Sequence, residues 1–263
     1  MSDQDFILYE AKGRIATITI NRPDKANSCN IAMLKGIHQK LLKADEDEKV
    51  ECIIIKSTGD RFFSAGYDLK EIQGAPENVA QITEWGRKVN ETMILMKKII
   101  ITQVQGIAIG LGFMIILSSD LKIFADRPKE ELYLRLPELV ISAFPQTGAT
   151  LLPLLAFGLT YAKNLLFTTD KIGLEELKNI NFPTRIFPIE QLDTETFNFA
   201  KQIVKYQKEF SFFTKSMLRI MNKAYIKSCL DLEDECGKMA YDPKKFTMKE
   251  LEDFIRHLDE KYP

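Results

Sequence analysis

The chain has 263 residues, a length that suits one large domain or one domain with a helical appendage. Its content of 45% hydrophobic and 28% charged residues is ordinary for a globular protein. The 36 basic and 37 acidic residues give a formal charge of -1, so no overall field recruits nucleic acid or a membrane surface.

Strand and helix patterns alternate through the first part of the chain. The predicted strands cover residues 6–9, 15–20, 51–56, 99–104 and 121–125. The predicted helices cover residues 31–44, a segment that follows a break at 74–77 and runs to 96, and residues 113–118.

From Pro145 onward the pattern is mostly helical. The predicted helices cover residues 148–156, 161–167, 174–179, 194–206 and 210–224, followed by two charged C-terminal helices. Strands that alternate with helices, followed by helices alone, indicate an α/β core with a helical end. We place the core at residues 1–200 and the helical C-terminal region at residues 201–263.

Cysteine and histidine usage limits the possible chemistry. The four cysteines do not form the close pairs of a zinc site, and His38 and His257 are the only histidines. A Ser-His-Asp triad or a histidine-based metal site is therefore poorly supported, and no metal is predicted. The N-terminal residues are acidic and polar, unlike a secretory signal, so we expect a cytoplasmic protein.

Two glycine-bearing segments, residues 62–69 and 106–112, each follow a run typical of a buried strand. Glycine at a strand exit permits unusual backbone angles and a close approach of a ligand to the main chain. Two such turns side by side would aim two free N–H groups at one point, an arrangement that stabilises an oxyanion. The alternative is that these glycines only allow tight packing of strand against helix.

The order of these motifs resembles the crotonase, or enoyl-CoA hydratase/isomerase, superfamily. The matching segments are Asn27-Ser28-Cys29-Asn30, Phe63-Ser64-Ala65-Gly66-Tyr67-Asp68-Leu69-Lys70, Gly106-Ile107-Ala108-Ile109-Gly110-Leu111-Gly112, Ser119-Asp120 and Leu136-Pro137-Glu138-Leu139. The resemblance spans nearly the whole chain. It implies an α/β fold with a crotonase-type ββα superhelix core and a helical C-terminal trimerisation region. It also implies an enzyme that acts on an acyl-CoA and forms a homotrimer or hexamer.

The resemblance implies catalytic roles for Tyr67, Leu111 and Glu138. The backbone amides of Tyr67 and Leu111 would hold the thioester oxygen, and each preorganised donor stabilises an enolate by about 3 kcal/mol. Glu138 would be the base, because an apolar setting raises the pKa of a carboxyl toward a useful value. The alternative for Glu138 is an exposed glutamate at a helix start.

Met114 is the main departure from the family pattern, since the second carboxylate of hydratases falls at this position. Hydration adds water across the double bond and uses two carboxylates, whereas isomerisation moves one proton from C2 to C4 and needs one base. The chain therefore favours Δ3,Δ2-enoyl-CoA isomerisation. A carboxylate from another loop remains a possible substitute, and the candidates are Asp68, Asp120, Glu130 and Glu131.

The resemblance also implies the substrate contacts. The predicted substrate-binding residues are Lys25, Ala26, Ala65, Gly66, Lys70, Gly110 and Met114. Lys25 and Lys70 would lie near the CoA phosphates, with a solvated surface charge as the alternative. The acyl pocket would be apolar, lined by Leu111, Met114, Phe113 and Phe144. No cofactor is expected, because the substrate itself carries coenzyme A.

Three other functions remain open from the sequence. The first is an enoyl-CoA hydratase that uses Glu138 with an unrecognised second acid. The second is a thioesterase or decarboxylase of the same family, which would reuse the oxyanion hole. The third is a non-catalytic relative such as an RNA-binding protein, against which the near-neutral charge argues.

Overall fold

The computed structural model describes residues 6–72, 77–220, 223–241 and 247–261, which build two sheets surrounded by helices. The larger sheet has the strand order β1 (Ile7–Lys12), β2 (Ile15–Ile20), β3 (Cys52–Ser57), β5 (Ile99–Val104), β7 (Leu121–Ala125) and β10 (Arg185–Phe187). The smaller sheet has the order β4 (Phe62–Ser64), β6 (Ile107–Ile109), β8 (Tyr133–Arg135) and β9 (Ile172–Gly173).

The helices fill the connections and form the C-terminal end. They are α1 (Ile31–Glu46), α2 (Leu69–Ile72), α3 (Glu77–Leu95), α4 (Leu111–Ser118), α5 (Leu151–Thr168), α6 (Leu174–Asn179), α7 (Leu192–Ile203), α8 (Lys208–Ile220), α9 (Lys223–Ala240) and α10 (Met248–Lys261). Short 3-10 helices cover Pro23–Lys25, Glu138–Ile141 and Ile189–Gln191.

The chain passes repeatedly from one sheet to the other. Each of β3, β5 and β7 lies in the larger sheet and is followed by β4, β6 or β8 in the smaller one. Helices α2 and α3 follow the first of these pairs and α4 follows the second. This ββα repeat is the predicted crotonase-type superhelix, and the mixed α/β architecture with C-terminal helices is confirmed.

The core lies between the sheets and the first helices. Strand β3 is buried at five of its six positions, which explains its continuous apolar sequence. Every residue of α4 is buried, so the apolar run of residues 114–117 belongs to a core helix. Helix α1 begins where the Asn30 side chain accepts a hydrogen bond from Met33 N at 2.8 Å.

Several element predictions need correction. Helix α4 begins at Leu111 and not at residue 113, because Gly110 is its N-cap. Five short strands, β4, β6, β8, β9 and β10, were not predicted. Residues 74–76 of the predicted break and residues 221–222 of a predicted helix lie outside the described residues.

Helix α5 is interrupted near its middle. It is the one described helix that is long and apolar enough, by length and composition, to cross a membrane. Gly158 has φ 77° and breaks the helical backbone there. The two helices predicted on either side of this position therefore correspond to the two halves of α5.

Helices α8 to α10 follow the sheets, and α8 packs back on the larger sheet at β5. Lys215 of α8 is buried and donates to Asp120 Oδ2 at 2.6 Å and to the Lys98 carbonyl at 2.6 Å. A buried ion pair needs such additional hydrogen bonds to offset its desolvation. The division of the chain near residue 200 stays a prediction.

Candidate active site

The first glycine turn, residues 64–68, is held from one side by the segment before α1. Ala65 N donates to Ala26 O at 2.9 Å, and Cys29 bonds both Gly66 O (2.8 Å) and Asp68 N (2.9 Å). Neighbouring amides of an extended chain point to opposite sides. The two bonds to Cys29 therefore turn the Tyr67 N–H toward the other side.

The second glycine turn ends at the start of α4. Gly110 has φ 52° and ψ -120°, which favours glycine, and its N–H donates to Arg135 O at 2.9 Å. Leu111 is the first residue of the helix, so its N–H has no acceptor within the helix. This amide lies at the positive end of the helix dipole, where an anion is stabilised.

The two turns are in direct contact. A methyl group built on Gly66 would lie 3.3 Å from Leu111 N, and one built on Gly112 would lie 2.4 Å from Ser64 O. Only glycine at residue 112 permits this approach, because a side chain there would overlap a backbone oxygen. The amides of Tyr67 and Leu111 thus belong to adjoining segments of the chain.

Glu138 lies beside the second turn. It begins the 3-10 helix Glu138–Ile141, and its Oε1 lies 3.5 Å from the position of a methyl group built on Gly110. Its Oε2 is buried and has no hydrogen-bond partner among the described residues. Burial raises the pKa of Glu138 to about 7 from the ordinary 4.5. A carboxyl with this pKa can accept a proton near neutral pH.

Met114 lies one turn into α4 from Leu111. It is 2% exposed, and its sulfur lies 3.4 Å from Thr147 Oγ1. Two of the predicted substitutes for the missing carboxylate are bound elsewhere: Asp68 to Arg22 at 2.7 Å and Asp120 to Lys215 at 2.6 Å. Glu130 and Glu131 are exposed, and Glu131 pairs with Arg127 at 3.6 Å.

The Tyr67 side chain is enclosed by the protein. Its hydroxyl donates to Thr147 Oγ1 at 3.2 Å. Burial is the main cause that raises the pKa of this phenol, and the charge of Glu138 adds to it. Tyr67 therefore stays protonated near neutral pH and acts as a hydrogen-bond donor to Thr147.

Sequence reasoning missed the residues that surround the 145–151 loop. Glu233 of α9 is 4% exposed and accepts from Gly148 N at 2.6 Å and from Thr150 N at 3.0 Å. Gln146 packs against Gly237, where a methyl group would lie 1.9 Å from its Nε2. No sequence signal separates Glu233 from the other acidic residues of its helix.

The residues predicted to contact CoA lie in two segments, the loop after β2 and the first glycine turn with the start of α2. Ala26 and Ala65 are joined by their backbones, which brings the loop after β2 against the first glycine turn. Lys25 in this loop and Lys70 at the start of α2 are both exposed. Phe113, predicted to line the acyl pocket, is fully buried in the core against Phe157, with ring centroids 6.4 Å apart.

A metal site was not predicted, and within residues 6–72, 77–220, 223–241 and 247–261 no group of three or more His, Cys, Asp or Glu side chains is placed to hold one.

Comparison with known proteins gives consistent matches. The family model described as enoyl-CoA hydratase/isomerase matches residues 10–257. A crotonyl-CoA hydratase of Syntrophomonas wolfei is 31% identical over 200 residues, which cover 75% of this chain and 75% of the relative. A short-chain-enoyl-CoA hydratase of Clostridium acetobutylicum is 27% identical over 201 residues, with 75% of each chain covered.

Solved structures match over most of the chain. The enoyl-CoA hydratase from Bacillus anthracis superposes with a TM-score of 0.77 at 26% identity, covering 97% of this chain and 96% of its own. An enoyl-CoA hydratase/isomerase from Mycobacterium paratuberculosis gives a TM-score of 0.81 at 24% identity, covering 90% of this chain and 93% of its own. The second likeness supports the fold.

Proposed function

The chain belongs to the enoyl-CoA hydratase/isomerase family of enzymes, and we propose that within it this enzyme moves the double bond of a 3-enoyl-CoA to the 2-position. The observation that carries the proposal is that the chain has a base at Glu138 and no carboxylate at Met114. A buried carboxyl with a raised pKa lies beside Gly110. At the position of the second family carboxylate stands a thioether, which transfers no proton.

The proposed reaction has two proton transfers and one anionic intermediate. The Glu138 carboxylate removes a proton from C2, and the electrons of that C–H bond pass to the thioester oxygen. The amides of Tyr67 and Leu111 donate to this oxygen and stabilise the enolate. Glu138 then returns the proton at C4, which leaves the double bond between C2 and C3. The scheme uses no metal or redox cofactor.

The state of Glu138 suits both transfers. A base with a pKa of about 7 is partly ionised at neutral pH and, once protonated, still releases its proton. An ordinary surface glutamate would be a weaker base by more than two powers of ten. The burial of Oε2 limits the access of solvent protons to the carboxyl.

Hydration is the second candidate, and the names of the two relatives favour it. Both relatives are described as hydratases. In this chain hydration would need an acid other than Asp68 or Asp120, which are held by Arg22 and Lys215. A thioesterase or decarboxylase would use the same two amides and is separated by its products.

The proposal includes assembly into a homotrimer or hexamer. Helix α8 exposes the large apolar side chains of Phe210 (66%), Phe213 (65%) and Met217 (66%). Phe210 also lines an apolar cleft of about 870 Å³, together with Leu121 and Leu155. Apolar surface of this kind is typical of a protein interface. Analytical ultracentrifugation tests it, and a monomer at micromolar concentration would contradict it.

Parallel turnover assays test the proposed reaction. Purified protein is mixed with 3-hexenoyl-CoA or with 2-hexenoyl-CoA, and the products are separated by chromatography. We expect isomerisation to exceed hydration, and Glu138→Gln to lower isomerisation by a factor of at least about 100. Glu130→Gln, a change in an exposed loop, is the matched control and keeps wild-type activity.

Two results would contradict the proposal. Hydration of 2-hexenoyl-CoA that is faster than isomerisation would require a second acid and would remove the argument from Met114. Isomerisation that survives in Glu138→Gln would mean that another group moves the proton.

A further inference from the structure

The turn of residues 146–148, which adjoins Tyr67, has a strained backbone. Thr147 has φ 64° and Gly148 has φ 101°. A β-branched residue seldom adopts a positive φ, because its side chain crowds the backbone there. Such a conformation persists where the surrounding structure holds it, and it is common at functional sites.

Two helices hold this turn. Asn90 of α3 is fully buried and donates its Nδ2 to Thr147 O at 2.8 Å. From α9, the Glu233 carboxylate accepts from Gly148 N at 2.6 Å, from Thr150 N at 3.0 Å and from Leu151 N at 3.2 Å, and it also bonds the Thr150 hydroxyl. A carboxylate that accepts several N–H bonds fixes the backbone strongly.

The two helices are also joined to each other. Arg87 of α3 forms ion pairs with Asp231 at 2.5 Å and with Asp234, both on α9. These pairs flank Glu233 in the sequence and keep α9 against α3. The position of Glu233 is therefore set by the docking of α9.

The strained turn presents Thr147 to Tyr67. Tyr67 Oη lies 3.2 Å from Thr147 Oγ1, which itself donates to Gln146 O at 2.6 Å. On its other side the Tyr67 hydroxyl touches α3 at Gly86, where a methyl group would lie 2.0 Å from Oη. The ring is thus fixed at its far end by one hydrogen bond and by a site that only glycine leaves open.

The backbone amide of Tyr67 is one of the two proposed oxyanion donors. We propose that the Thr147–Tyr67 hydrogen bond, held by Glu233, positions the Tyr67 amide, so that docking of α9 completes the oxyanion hole. This inference rests on the proposed function. Thr147 and Glu233 are positioning residues: they act through Tyr67. A tyrosine ring has two side-chain torsions, so anchoring its hydroxyl restricts the backbone that carries it.

The test removes the hydroxyl groups and keeps the side-chain shapes. The variants are Tyr67→Phe and Thr147→Val, and the readouts are kcat, the dissociation constant of hexanoyl-CoA, and the infrared carbonyl stretch of bound hexanoyl-CoA labelled with ¹³C at the thioester. The carbonyl frequency falls when donors polarise the thioester, so it reports the oxyanion hole directly.

We expect both variants to shift the bound carbonyl frequency toward its value in solution. We expect kcat to fall about tenfold, since small displacements of a catalytic group cost one to two powers of ten. The dissociation constant changes less than twofold, because neither variant alters Lys25 or Lys70, the side chains predicted to lie near the CoA phosphates. The matched control is Tyr9→Phe, which removes a buried hydroxyl with no partner among the described residues and leaves all three readouts unchanged.

Glu233→Gln tests the connection to α9. If Glu233 acts through Tyr67, this change lowers kcat in the wild-type background and has little further effect in Tyr67→Phe. A wild-type carbonyl frequency in Tyr67→Phe would overturn the inference, whether or not kcat falls. A wild-type protein that binds no acyl-CoA, or leaves its carbonyl unpolarised, would overturn the proposed function and this inference together.

Discussion

The buried charge of Glu138 should make the wild-type fold less stable than its glutamine variant at high pH. Burial raises the pKa of Glu138 from the ordinary 4.5 to about 7. Below pH 4.5 the group is protonated in both folded and unfolded chains. Between pH 4.5 and 7 the unfolded chain releases the proton and the folded chain keeps it, so the cost to folding grows and is complete above pH 7.

The size of the effect follows from the pKa difference. A rise from 4.5 to about 7 corresponds to about 3 kcal/mol at pH 8, which partial contact of the side chain with solvent reduces to about 2 kcal/mol. At pH 5 the cost is below about 1 kcal/mol. Glutamine has nearly the same shape and no charge, so Glu138→Gln should gain several degrees in Tm at pH 8 and little at pH 5.

Thermal melts of wild type and Glu138→Gln at pH 5 and pH 8 measure this difference. Protein concentration is held constant, because assembly also shifts Tm. Glu130→Gln is the control for loss of a negative charge from an exposed site, and its offset from wild type should be small at both pH values. A Glu138→Gln offset that does not grow from pH 5 to pH 8 would refute the buried, raised-pKa carboxyl. The same carboxyl predicts that the isomerisation rate of wild type rises with pH through about 7.

Three further substitutions test other parts of the site. Gly112→Ala should separate the two glycine turns, since a methyl group would lie 2.4 Å from Ser64 O, and kcat should fall at least about 100-fold. Met114→Glu should raise hydration of 2-hexenoyl-CoA at least about tenfold, with Met114→Gln as the control for size. Lys25→Ala combined with Lys70→Ala should weaken CoA binding in low salt and abolish its salt dependence.

Each of these three predictions would be contradicted by a specific result. Wild-type kcat in Gly112→Ala would mean that the turns need not touch. Equal hydration by Met114→Glu and Met114→Gln would mean that a carboxylate at this position does not restore the second role. Unchanged CoA binding by the double lysine variant would mean that the CoA phosphates lie away from Lys25 and Lys70.

The parts of the fold that follow from the sequence are those with a continuous or periodic apolar signal. Strands β3 and β5 are buried on both faces, and their apolar runs predict them within one residue. The three-residue strands β4, β6 and β8 have no such signal, because their pairing depends on the superhelix that the other elements build.

The candidate site was predictable where it depends on local backbone, and less so where it depends on packing. The glycine turns and Glu138 carry sequence patterns. The start of α4 was predicted at residue 113 and not at Leu111, because a glycine at the N-cap has the sequence pattern of a loop residue. The apolar run from Phe113 gave no information on the pocket, since Phe113 packs in the core. The role of Glu233 could not be predicted from the sequence, because the backbone amide of Gly148 that it binds lies more than 80 residues away along the chain.

The path of a single proton tests the central claim most directly. Wild-type enzyme is given 3-hexenoyl-CoA with deuterium at C2, in ordinary water, and the 2-hexenoyl-CoA formed early in the reaction is examined by mass spectrometry and NMR. If Glu138 alone carries the proton from C2 to C4 in an enclosed site, part of the product contains deuterium at C4. Product with no deuterium at C4, together with rapid formation of 3-hydroxyhexanoyl-CoA, would contradict a one-base isomerase.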